Sequence, residues 1–179
     1  MLRLCLTCAI ALTAFAALPD TAAAATAAAT AAPLSSARLR PQSPRVAAWL
    51  ARGRQRSPTL RALADQVERG DVVVYLEIAF TLDRRMAACV TWMASVPGAR
   101  YVRVSVRPNL READAIAMLA HELQHVVEVI DSPEVQSSGD LAALYQRIGH
   151  RVGGGGRTWD TVAALRVGDL ARTEVVRGT

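Results

Sequence analysis

Ala120-His121-Glu122-Leu123-Gln124-His125-Val126 is the stretch of this 179-residue chain that decides its fold, because it lies in a strong helix signal. Residues 113–130 contain neither Gly nor Pro, and their apolar side chains recur at helical spacing. Positions i and i+4 lie one above the other on a helix, so His121 and His125 share a face. The apolar face consists of Ile116, Leu119, Leu123, Val126, Val127 and Ile130, and the opposite face carries Asp114, His121, His125 and Glu128.

The spacing His-Glu-x-x-His is typical of zinc hydrolases. Neutral imidazole is a good zinc donor, and a catalytic zinc keeps one position open for water, whose pKa falls to about 7 when it is bound. The sequence therefore predicts His121 and His125 as ligands of Zn2+ and Glu122 as the general base. A solvated polar face is the alternative interpretation, but such faces are usually rich in Lys, Arg and Glu and not in paired His.

The segment 102–130, with a strand, a proline and the His-Glu-x-x-His helix, resembles small secreted bacterial proteins of the zincin type, in particular glutamate zincins. The resemblance extends through residues 141–149 to the last predicted helix. It implies a zinc-dependent metallopeptidase with a minimal zincin-like core and a polypeptide substrate. In zincins the strand beside the active helix commonly offers its edge to an extended substrate, and the strand at 101–106 is the candidate here.

The third metal ligand is less well defined by the sequence. The longer metzincin pattern requires Gly and a further His shortly after His125, and residues 126–130 do not supply them. Glutamate zincins take this ligand from a later helix, so the resemblance assigns Asp160 as the provisional third ligand. An ordinary helix cap is the other role that fits Asp160. Glu128 is the alternative ligand, or else an acceptor for an imidazole N–H.

Four other residues have weaker functional interpretations. His150 is another possible donor but fits better as an exposed loop residue. Tyr145 is a candidate for oxyanion stabilisation, with an ordinary amphipathic tyrosine as the default. Asp114 is expected to orient an imidazole or to support the first helical turn. Cys89 is expected to be a small buried hydrophobe.

Residues 1–32 read as a signal peptide with an Ala-rich cleavage region. Met1-Leu2-Arg3 carries one positive charge and leads into an apolar run from Leu4 to Leu18. No later segment offers about 20 continuous apolar residues, so we expect no membrane anchor and a secreted or periplasmic location. Cleavage would leave a single cysteine and no internal disulfide.

Residues 33–56 are rich in Arg and Pro and are expected to form a flexible arm before a single domain at 57–179. Seven arginines and no acid lie between Arg38 and Arg61, and the whole chain lacks Lys. A solvated arm is the simplest interpretation. An anionic polymer of the cell envelope is the candidate partner if the arm binds anything, and no nucleic-acid partner is expected because the segment has no interleaved aromatics.

Gly, Pro and Ser residues mark the predicted ends of the remaining helices and strands. We expect an α+β fold with a small sheet of about three strands and about four helices. The predicted helices are 58–69, 113–130, 140–148 and 159–176, the strands are 72–79, 86–95 and 101–106, and a flexible break covers 153–156. A catalytically silent zinc-binding or interaction domain of the cell envelope is the alternative function, because a closed four-ligand site leaves no position for water.

Overall fold

The computed structural model describes residues 37–83, 86–151 and 158–178. The described part of the chain has an α+β fold, as predicted, with five helices, a four-stranded mixed sheet and a two-stranded sheet. The elements are β1 (Leu39–Pro41), α1 (Pro44–Arg56), α2 (Pro58–Arg69), β2 (Val72–Ile78), β3 (Ala88–Val96), β4 (Ala99–Val106), α3 (Glu112–Ile130), α4 (Ser138–Ile148), β5 (His150–Arg151), β6 (Trp159–Asp160) and α5 (Val162–Arg177). The predicted break at 153–156 lies outside the described residues. Within the described ranges, no helix combines the length and apolar character needed to span a bilayer.

The main sheet has the order β1-β2-β4-β3, in which β1, β2 and β4 are parallel and β3 is antiparallel to β4. The strand predicted as a substrate edge, at 101–106, is therefore an interior strand, and the edge belongs to β3. Val102, Val104 and Val106 of β4 are completely buried. Alternating apolar residues identified this strand correctly, but the strand order depends on long-range pairing that periodicity does not contain.

Residues 39–56 differ from the expected flexible arm, because they form β1 and α1. The Ser43 side chain caps α1 by accepting from the amide of Val46, and Pro44 occupies the first turn. Val46 and Trp49 are buried, whereas most of the arginines lie on the outer face of the helix. The helical spacing of Val46, Trp49, Leu50 and Gly53 is the local pattern that indicates α1, and the many arginines obscured it.

Part of the arginine charge in this region is already paired within the domain. Arg54 contacts Asp65 at 2.5 Å, and Arg52 lies 3.5 Å from Glu112. The Arg45 guanidinium stacks on the ring of Trp49. Binding of an anionic envelope polymer by this segment stays a prediction.

Helix α3 is the centre of the domain. Its apolar face packs against the sheet and α2, and its polar face is covered by α5, so residues on both faces are buried. Ile116, Leu119 and Leu123 are fully buried, and Glu122 and His125 retain only 4% and 6% exposure. The predicted polar face is therefore largely buried around His125, whereas Asp114 near the start of the helix has a side chain that is 32% exposed.

The C-terminal end of α3 is capped by the buried side chain of Arg100 from β4. Its Nη1 donates to the carbonyls of Val129 and Ser132 at 2.7 and 2.9 Å. The same guanidinium makes a bidentate pair with Asp71, with distances of 2.7 and 2.8 Å. These bonds give a second donor to carbonyls that also accept the backbone N–H groups of Ser132 and Val135, and they fix the end of α3 to the sheet.

Replacing Arg100 with Met should lower the free energy of unfolding by roughly 2–4 kcal/mol, because the buried hydrogen bonds from its guanidinium to the end of α3 and to Asp71 are lost. The matched control is Arg103→Met on the same strand, where the guanidinium is 43% exposed and 3.6 Å from Glu77. The control should cost less than about 1 kcal/mol. Urea unfolding measures both, and equal costs would contradict the capping role of Arg100.

Candidate metal centre

Three potential metal donors meet where α3 passes β6. The distance from His121 Nε2 to Asp160 Oδ1 is 3.3 Å, and that from His125 Nε2 to the same oxygen is 3.5 Å. The donor atoms of His121, His125 and Asp160 all lie within 4.8 Å of one another. Ligands bound tetrahedrally to zinc at about 2.0–2.1 Å are separated by about 3.3–3.4 Å. The two imidazole-to-carboxylate distances match this separation, and the whole group is compact enough to hold one metal ion.

Asp160 reaches this position from a strand and not from the last helix. It lies in β6, which pairs with β5 through His150, and the N-cap of α5 is Thr161. The alternative role of Asp160 as helix cap is thus performed by the next residue. A Cβ atom on Gly149 would come within 2.8 Å of the Asp160 carbonyl oxygen, so this close approach of the two backbones requires glycine.

Glu128 connects a histidine of α3 to the start of α5. His125 Nδ1 donates to Glu128 Oε2 at 2.8 Å, and the Thr161 hydroxyl donates to Glu128 Oε1 at 2.6 Å. Thr161 in turn donates its backbone N–H to Asp160 Oδ1 at 2.7 Å. Glu128 lies outside the group of three donors and acts as the acceptor for an imidazole N–H, which orients the other ring nitrogen toward Asp160.

Glu122, next to His121 on α3, carries a buried carboxyl group. Burial raises its pKa to about 7, with Asp160 and Glu128 adding to the rise and His125 opposing it. A group that titrates near neutral pH can both accept and return a proton. In the metal-free protein, Glu122 therefore titrates near neutral pH.

The two histidines differ in their electrostatic environments. Burial lowers the pKa of His125, but its hydrogen bonds to Asp160 and Glu128 outweigh this effect and raise the pKa to about 9. Burial likewise lowers the pKa of His121, and there the attraction of Asp160 does not compensate. Burial of Asp160 raises its pKa, yet the hydrogen bond to His125 and the proximity of His121 bring it below its usual value.

A cavity of about 840 Å³ opens beside these residues. Its walls come from the first part of β3, α3, α4, the β5–β6 pair and α5, and its apolar lining includes Met86, Ala88, Val90, Met118, Leu141 and Leu165. His121, Glu122, His125 and Asp160 form part of the same surface. A concave, largely apolar pocket with a few converging polar groups is typical of a ligand site.

The other four candidate residues do not belong to the group of three donors. His150 is exposed in β5 and is not part of the donor group among the described residues. Asp114 pairs with Arg172 at 2.9 Å instead of orienting an imidazole. The Tyr145 hydroxyl donates to the His125 carbonyl at 3.2 Å, and its ring packs edge-on against the His125 ring. Cys89 is only partly buried and lines the cavity, which differs from the expected core position.

No protein-family model, curated protein or solved structure matches this chain.

The metal-free protein should become less stable as the pH rises from about 6 to above 9. The pKa of His125 is raised from 6.5 to about 9 by folding, so its contribution is complete below 6.5 and disappears as the pH rises through 9. Folding raises the pKa of Glu122 from 4.5 to about 7. The stability that its protonated carboxyl group contributes is therefore complete below about pH 4.5 and is lost as the pH rises through 7, which is the same direction as for His125.

Thermal unfolding in the presence of a chelator measures this dependence. Glu122→Gln removes the titrating carboxyl group and should flatten the curve between about pH 5 and 7 while leaving the decline toward pH 9. Asp114→Asn, which alters an acid of the same helix outside the cluster, should leave both parts unchanged. A midpoint that increases from pH 6 to 9 would rule out the protonation states described for the cluster.

Proposed function

We propose that this chain is a secreted or periplasmic zinc-dependent metallopeptidase. The observation that carries the proposal is the convergence of His121 Nε2, His125 Nε2 and Asp160 Oδ1 at zinc-ligand spacing beside the buried Glu122 and a large cavity. Zinc is favoured over harder cations because two of the three donors are imidazoles. The extracytoplasmic location comes from the signal-like residues 1–32, which lie outside the described part of the chain.

The donor set supports a catalytic site over a closed structural one. Structural zinc sites usually have four protein ligands, many of them cysteines, whereas catalytic sites have three and leave a position for water. Three donors converge among the described residues, and they border the cavity. The silent-domain alternative would require a fourth protein donor at this surface.

Each residue has a defined task in the proposed reaction. When bound, zinc would lower the pKa of a water molecule and polarise the scissile carbonyl group. Glu122 would accept the proton of that water and transfer it to the departing amine, and its position beside His121 at the cavity supports this role. Glu128 would hold the tautomer and orientation of His125, and Tyr145 would hold the backbone of the same residue.

An extended substrate would have access to β3, the edge strand of the sheet, because the residues that begin this strand line the cavity. On the side away from β4, no strand pairs with β3 among the described residues. Strand addition of this kind recognises the backbone of a polypeptide and leaves side-chain preference to the adjoining pocket. This supports a peptide substrate for the site.

Glu122→Gln should retain about one zinc per chain and lose peptide hydrolysis by about 10²-fold or more, because the amide cannot accept the proton of water. Metal analysis and cleavage of an unfolded protein substrate measure the two properties. Equal activity of both proteins would exclude Glu122 as the base. Zinc binding without hydrolysis by the unmodified protein would favour the silent domain.

His121→Ala, His125→Ala and Asp160→Asn should each weaken zinc binding strongly, because each removes one of three ligands. His150→Ala is the matched control, since it removes an exposed histidine from the partner strand of β6 and should leave the affinity unchanged. Competition with a chromogenic chelator measures the dissociation constants. Unchanged affinity for Asp160→Asn would refute its assignment as a ligand.

Glu128→Gln should weaken zinc binding by about 10–100-fold without abolishing it, since the loss of an outer hydrogen-bond acceptor disturbs the orientation of a ligand. Asp114→Asn on the same helix serves as the control and should have no effect. In the metal-free protein, ¹⁵N chemical shifts of the His125 ring should report a changed tautomer balance in Glu128→Gln alone. A complete loss of metal would instead identify Glu128 as a direct ligand.

A further inference from the structure

The cavity contains a permanent cation whose role the proposed chemistry does not explain. Arg151, in β5, is the only arginine among the described residues that line the cavity, and the chain contains no lysine. No acidic partner of Arg151 occurs in the described ranges, in contrast to Arg147 of α4, which pairs with Glu134. The guanidinium is therefore available to an anionic group that enters the cavity.

The guanidinium of Arg151 is held without using its hydrogen-bond donors. Its Cζ atom lies 5.3 Å from the centre of the Trp159 ring, and the two residues are paired across the β5–β6 ladder. An aromatic ring that packs near a guanidinium attracts its charge and restricts its position, but leaves N–H groups free for bidentate recognition of a carboxylate. Arg151 is thus held at the cavity wall as a receptor for a planar anion.

The cavity also brings this receptor together with the candidate metal centre, because Arg151 and Asp160 both line it. The neighbouring pair in the β5–β6 register is His150 with Asp160. An anion bound by Arg151 would therefore occupy the same cavity as a peptide group positioned at the metal.

The edge strand is not open along its whole length. Helix α4 packs against β3, and near the far end of β3 the Ser95 hydroxyl donates to the side chain of Gln136, in the segment that leads into α4. Residues of α4 also line the cavity together with the start of β3. A substrate at this edge would share its space with α4, which suits the end of a chain better than a long polypeptide that continues past the site.

We propose that Arg151 binds the C-terminal carboxylate of the substrate, so that the site acts on short peptides or chain ends with an apolar C-terminal side chain. This inference rests on the proposed function and specifies its substrate class. The apolar walls formed by Met118, Leu141 and Leu165 would receive that side chain. A cavity of about 840 Å³ lies in the usual range for a small bound ligand.

The test uses the zinc-loaded Glu122→Gln protein, which binds peptides without cleaving them. Isothermal titration compares two N-acetylated tripeptides of sequence Ala-Ala-Phe, one with a free C-terminal carboxylate and one with a C-terminal amide. We expect the free acid to bind about tenfold more tightly, because a charged hydrogen-bonded pair forms only with the acid. Equal binding of the two peptides, or no binding of either, would overturn the inference.

Second substitutions in the same protein locate the effect. Arg151→Gln should abolish the preference for the acid, and Arg151→Lys should retain part of it, because lysine keeps the charge but not the bidentate donor pair. Arg147→Gln is the matched control and should preserve the full tenfold difference. An acid preference that survives Arg151→Gln would place the carboxylate elsewhere and refute the assignment.

The unmodified protein separates this inference from the proposed function. Cleavage of the free acid in preference to the amide would support both. If the acid preference in binding depends on Arg151 but neither peptide nor an unfolded protein is hydrolysed, the carboxylate site is correct and the peptidase proposal fails. Hydrolysis of both peptides at equal rates would support the peptidase and reject the chain-end specificity.

Discussion

The burial of α3 on both faces is the constraint on which the rest of the structure depends. Its apolar face packs against the sheet, as in an ordinary amphipathic helix, but α5 covers the face that carries His125 and Glu128. Buried polar groups must be hydrogen-bonded, and buried charges must be paired or bound to a cation. The hydrogen bonds from His125 and Thr161 to Glu128 satisfy this requirement at the point where α5 begins. Arg100 satisfies it at the end of the helix.

The charge of the groups around this site also favours the binding of a cation. Glu122, Glu128 and Asp160 contribute three carboxyl groups, whereas the nearby basic groups are two imidazoles. The metal-free cluster can reduce the imbalance only by retaining protons, which is reflected in the raised pKa values of Glu122 and His125. A divalent cation would replace these protons and compensate the carboxylates directly, so metal binding and proton release would be coupled.

Local sequence signals were sufficient for the elements that carry the two histidines. The Gly- and Pro-free stretch around His121 predicted α3 to within one residue at its start, and Ser57-Pro58 with Gly70 predicted α2. The failures involve information that is not local. The expected position of Asp160 in the last helix missed a two-residue strand, and the expected substrate edge at 101–106 missed the order of the sheet. Arg-rich composition likewise concealed an apolar stripe in α1, because charge density was given more weight than spacing.

The use of Asp in place of Glu as the provisional third ligand is compensated by the backbone. A glutamate can reach the imidazoles from a helix, whereas the shorter side chain of Asp160 needs a main chain that passes close to α3. β6 provides this path because Gly149 permits its contact with the carbonyl of Asp160. Thr161 then ends the strand, caps α5 and donates to Glu128, so one residue sets both the start of the helix and the position of the preceding carboxylate. Gly168 lies about two turns further, where a Cβ atom would be 3.4 Å from His121 Cβ, and this small residue keeps α5 close to α3 beside the first imidazole.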